Sequence, residues 1–197
     1  MKIVLLYISC IIIICVSCKK KELVETAPKM EKKYINDPLV YEVINAVLEL
    51  PEFKKDSVDY MIDFANPLLF DLEMDGDNFY GYAEEYFGEF DKVAIENQKE
   101  ALKYSYYQKG KINNITLVDY DLTNIKTDQQ FDSLNQSLNK YLPYVAISFP
   151  IFNKQKNTAF MFYHHNCGFL CGYGKKLFVK KINGKWQIVL VYEEYIS

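Results

Sequence analysis

Two adjacent residues near the end of the chain, Asn183 and Gly184, constrain its fold more than any others. Both central positions of a type I′ turn need positive φ, which Asn and Gly tolerate, so this pair between apolar runs is the strongest short hairpin signal. The flanking pattern predicts strands over 175–182 and 185–193. Two further strands are predicted over 144–152 and 158–165, joined by the polar loop 153–157, and an earlier one over 115–121. On the last strand Trp186, Ile188, Leu190 and Tyr192 fall on one face, with Val189 and Val191 on the other. Both faces are therefore expected to be covered, one of them by helices from the N-terminal half.

Those helices are legible from period and caps. Leu39, Val40, Val43, Ile44, Val47, Leu48 and Leu50 recur at three and four residues behind Asp37 and Pro38, and Pro51 ends the run. A second short helix is expected over 57–64, an amphipathic one over 91–108 ended by Gly110, and a weaker one over 127–142 capped by Thr127. Residues 71–91 mix eight acids with six aromatics and read as a loop followed by a helix start. The expected fold is α+β: N-terminal helices packed on a C-terminal antiparallel meander of four to five strands, a single domain over 37–197.

The N-terminus specifies a location. Lys2 is followed by an apolar run from Ile3 to Val16 and then small residues before Lys19, the outline of a signal peptide over 1–18. The run is shorter than the ~20 residues of a spanning helix, which disfavours a retained transmembrane anchor. Cys15-Val16-Ser17-Cys18 resembles a bacterial lipobox, with Cys18 as the lipidated first residue of the mature chain. Cys10 competes less well, because cleavage there leaves Ile11–Ile14 on the mature protein. Acyl chains contribute ~0.8 kcal/mol per buried methylene, so a partnership with the membrane needs no spanning helix. Residues 19–36, rich in Lys and Glu, read as a flexible tether. The expected location is the bacterial cell envelope, lipid-anchored in the outer membrane.

The envelope frames the chemistry. Cys167 and Cys171 remain as an even pair in a disulfide-permissive compartment, and the segment 164–174, HHNCGFLCGYG, has the glycines to bring both sulfurs together at a hairpin tip. The competing reading is a metal site of His164, His165, Cys167 and Cys171, a set that suits zinc, although adjacent histidines on a strand point to opposite faces. Redox chemistry is disfavoured, since such activity usually uses C-x-x-C at a helix N-terminus. Asp71, Glu73, Asp75, Gly76 and Asp77 echo the first half of an EF-hand loop, but its twelfth position falls on Tyr82. All 23 basic residues are Lys. Without Arg to fork onto phosphate or read guanine, no nucleic-acid partner is expected.

The succession LPYVAISFPIFNKQKNTAFMFYHHNCGFLCGYG, then KKINGKWQIV and a terminal YIS, resembles a recurrent group of Bacteroidota lipoproteins and secreted proteins. That group carries a C-G-x-L-C-G hairpin and a G-K-W turn and strand. The resemblance covers residues 142–197 and implies a shared fold unit and origin. It implies no activity.

The leading functional expectation is a non-catalytic envelope lipoprotein, tethered through Cys18, that binds another protein or a surface component without a cofactor. A metal-dependent or redox protein using the Cys167/Cys171 hairpin with His164 or His165 is the alternative. A third reading is an immunity or inhibitor lipoprotein whose charge of −3 steers a toxin.

Overall fold

The computed structural model describes residues 31–54, 56, 58–65, 76–88, 91–123, 125–168 and 170–196, without the side chains of 76–80 and 192–196. Cys18, Asp71, Glu73 and Asp75 lie outside the described residues.

Helix α1 (Pro38–Leu48) starts where Asp37 accepts a hydrogen bond from the Leu39 N–H at 2.9 Å, with Pro38 in the first turn. Its buried stripe is Val40, Tyr41, Val43, Ile44 and Val47. The turn α2 (Pro51–Lys54) follows, burying Phe53. The expected helix over 57–64 is instead strand β2 (Tyr60–Ile62). Its short alternating run is extended because two other strands pair with it, so tertiary context overrides local propensity. Helices α3 (Gly76–Phe87) and α4 (Lys92–Leu102) come next, the latter capped by Asp91. α4 ends rather than continuing to 108: Lys103 is already non-helical with ψ of 130°, and Tyr104 follows at φ +59°.

Ser105–Tyr106 (β3) pairs in parallel with Lys33–Tyr34 (β1). Residues 32–36, expected in the tether, thus lie against the domain. Lys32 reinforces them, bonding Asp63 at 2.8 Å and also Asp119, with its ammonium 4.3 Å from the Tyr106 ring centroid. Burial opposes the Lys32 charge, but hydrogen bonds to Asp119 and Asp63 outweigh it and raise its pKa.

The remaining elements are β4 (Thr116–Val118), α5 (Asp128–Ser137) with a 3-10 turn over Leu138–Tyr141, β5 (Tyr144–Ile147), β6 (Ile151–Phe152), β7 (Thr158–Gly168), β8 (Cys171–Ile182) and β9 (Lys185–Ile196). The expected strand 144–152 is broken because Pro150 has no N–H. At the break, Ser148 Oγ accepts from the Phe162 N–H at 2.9 Å.

The main sheet runs β4-β2-β5-β7-β8-β9, with β6 also paired to β7. β5, β7, β8 and β9 are successively antiparallel, but β2 lies parallel to both β4 and β5. The fold is α+β, yet the sheet is mixed rather than a simple meander. The helices are not confined to the N-terminal side either, since α5 lies between β4 and β5 in the chain. The reason is that β2 and β4, drawn from the helical half, complete one side of the sheet.

Helices cover both faces. Ala159, Met161, Tyr163 and His165 of β7 share a face with Val179 and Tyr173 of β8, and α2 packs there through Phe53 and Tyr163, whose centroids are 4.2 Å apart. Glu42 of α1 binds Lys181 and the Trp186 indole N–H at 2.6 and 2.9 Å. On the opposite face Phe178 meets Tyr86 and Phe87 of α3, and a second cluster of Ile62, Val118, Ala146 and Leu138 lies at the α5 end.

Strand β9 departs from the expected alternation. Val179 pairs with Ile188 and Phe178 with Leu190, while Leu177 pairs with Val191 and Lys176 with Glu193, so Val189 and Tyr192 are extra residues. Leu190 is therefore on the Phe178 face, not with Trp186 and Ile188.

Candidate ligand cleft

A hollow with both polar and apolar lining lies between α2 and the sheet, with a volume of ≈ 250 Å³. Val145 and Tyr163 form its floor, Leu48, Phe53, Val58 and Ile115 its walls, and Glu49, Lys54, Asp59, Asn113 and Asn114 its rim.

The rim is held by its own hydrogen bonds. Asn45 of α1 donates from Nδ2 to the Lys111 carbonyl at 3.0 Å and accepts the Asn113 N–H on Oδ1 at 2.8 Å. Asn114 sits at φ +55°, a conformation that Asn tolerates better than most residues. The Thr116 N–H donates to the Asp59 carbonyl at 2.8 Å, joining the two parallel strands where they begin. Lys54 Nζ stands 2.9 Å from Glu49 Oε2, and this hydrogen bond holds the Glu49 carboxyl below its ordinary range.

Beneath the rim, Asp56 Oδ2 accepts from the Tyr163 hydroxyl at 3.0 Å and also from the Tyr173 hydroxyl. Burial, followed by the proximity of Tyr173 and Asp56, pushes the Tyr163 phenol up, so it keeps its proton and remains a donor. Asp56 with two phenolic donors on one oxygen is a strut between α2 and the β7–β8 ladder.

His165 lies on the same face of β7 as Tyr163 and opposite the floor residue Val145. It is 9% exposed, with its ring centroid 5.3 Å from that of Tyr173, and neither ring nitrogen has a hydrogen-bond partner. Such orphaned buried atoms are uncommon and carry a desolvation cost. His164 points to the opposite face and stacks on Phe162 at 6.3 Å with an interplanar angle of 7°. Burial, then His165, lowers its pKa.

Cys167 and Cys171 are joined in a disulfide across the hairpin tip, Cα atoms 5.1 Å apart, where Gly168 and Leu170 adopt φ of +127° and +53°. With the sulfurs bonded to each other and the histidines on opposite faces, the four proposed zinc ligands are not assembled. Among the described residues no group of three or more His, Cys, Asp or Glu is placed to hold a metal ion. Asp77 lies in α3 rather than in a loop, and the remaining acids of the EF-hand-like string lie outside the described residues.

A second hollow of ≈ 260 Å³ lies between α4 and β6. There Gln98 is committed to structure, donating to the Phe152 carbonyl at 2.8 Å and accepting its N–H at 2.9 Å.

Sequence reasoning passed over Asp56, Tyr163 and Tyr173. The available signal was the placement of Tyr163 and Tyr173 about the Cys hairpin, but their shared carboxylate comes from a distant loop. Compared with family models, with curated proteins and with solved structures, the chain gives no match in any of the three. No helix among the described residues is long and apolar enough to cross a membrane.

Proposed function

We propose that this chain is a lipid-anchored envelope protein whose α+β domain is a non-catalytic binding module, with the cleft under α2 as its ligand site. The anchor rests on residues 1–18 and the lipobox-like Cys15–Cys18. One observation carries the binding reading: the rim of the cleft is held by hydrogen bonds within the protein itself. Asn45 fixes the 111–113 loop, and Asp56 holds the hydroxyl of Tyr163 on the cleft floor. Such preorganisation removes ordering costs that binding would otherwise incur.

Two measurements test the two parts. Intact mass of the protein extracted from its native membrane should show acyl groups on Cys18; a mass retaining residues 1–17 would overturn the anchor. Native mass spectrometry of the purified full chain, incubated with a small-molecule extract of the envelope, should show an adduct that Ile115→Trp abolishes while circular dichroism is unchanged. No adduct, or an equal adduct in the variant, would overturn the cleft.

A further inference from the structure

The cleft's charge distribution narrows its ligand, on the premise of the binding reading above. We propose that it takes a small amphipathic cation: a primary ammonium bearing an apolar group of a few carbons, either a free amine or the first residue of a peptide.

Helix α1 spans 11 residues and delivers its C-terminal end to this hollow, since Leu48 and the capping Glu49 both line it. That end carries partial negative charge from the aligned peptide dipoles and attracts cations. α1 has no basic residue in its last turn to use up that preference. Glu49 is bonded to Lys54, leaving Asp59, whose carboxylate has no ion-pair or hydrogen-bond partner among the described residues. The rim thus sets two carboxylates and a helix carboxyl end against one ammonium, with the Asn114 side chain also hydrogen-bonded to Glu49. This field opposes an anion. Below it Phe53, Val58 and Ile115 present apolar surface, which a fully hydrated metal ion would not use. The volume of ≈ 250 Å³ limits the apolar part to a few carbons.

The test uses the full chain in a neutral detergent, following backbone amide resonances during titration with n-butylammonium, n-butanol or butyrate. Butylammonium should shift the amides of Asn113–Thr116 saturably and bind at least about fivefold more tightly than butanol, with butyrate weakest. Asp59→Asn should reduce butylammonium to the butanol level, and Lys54→Gln should tighten it. A Leu-Gly-Gly peptide with a free amino terminus, set against its N-acetylated form, separates the sources. Binding of the free-amino peptide alone identifies a peptide terminus, and rejection of both identifies a free amine. Equal binding of butanol and butylammonium, abolished by Ile115→Trp, would overturn the cationic preference and leave the cleft standing. If no probe of any charge shifts these amides, the cleft reading falls as well.

Discussion

Removing the Asp56 carboxylate should expose how firmly α2 is pinned to the sheet. In Asp56→Ala, the Tyr163 hydroxyl, on a residue only 1% exposed, loses its acceptor inside the protein. An orphaned buried donor costs about 1–3 kcal/mol, and the partly exposed Tyr173 recovers most of its loss from water, so about 2–3 kcal/mol is expected in total. Tyr163→Phe removes the donor instead, while Asp56 keeps Tyr173, and should cost about 1 kcal/mol. The double variant has no orphan. It should cost about 2 kcal/mol, well short of the sum, because the buried orphan that dominates Asp56→Ala is gone. Urea unfolding followed by fluorescence of the chain's single tryptophan, buried Trp186, reads all four proteins. Additivity to within about 0.5 kcal/mol, or a cost for Asp56→Ala under about 0.5 kcal/mol, would refute the strut.

Two other outcomes follow from buried polar groups. Ser148→Ala deprives the Phe162 N–H of its acceptor at a fully buried site and should cost about 1–3 kcal/mol, with selective loss of hydrogen-exchange protection at Phe162; unchanged protection would contradict the assignment. Burial holds His164 below its ordinary value of 6.5, so the unfolded chain binds more protons than the native one just below that value, and stability should fall as pH drops below about 6.5. His164→Phe, which retains a ring to stack on Phe162, should flatten that part of the stability profile, as urea midpoints across pH 5–7 would show.

Much of the fold could be read because its signals were local. Asn183 and Gly184 adopt φ of +50° and +78° as the turn chemistry requires, and Asp37 and Thr127 cap their helices through side-chain bonds. The hairpin that brings Cys167 and Cys171 to bonding distance was legible from its glycines, and the opposed histidines from strand alternation. β2 was not, because Tyr60–Ile62 is extended only by pairing with β4 and β5 far along the chain. The β9 bulges were equally hidden, since an extra residue shows only against its partner strand. The cleft escaped for the same reason: its rim draws on α1, α2, the approach to β2 and the 111–115 loop, and no one segment carries its pattern.

The two extra residues in β9 also bear on how copies of this protein share a surface. β9 is the last strand of the main sheet, and a long regular edge invites another strand to add to it. The interruptions at Val189 and Tyr192 divide its twelve residues into short stretches whose backbone groups cannot keep one register with a straight neighbour. Under the proposed anchor, molecules would be confined to two dimensions with their edges turning freely past one another at high local concentration. A kinked border would then let the domain crowd without stacking into ribbons, the same irregularity that redirects Leu190 inward serving as a guard against neighbours.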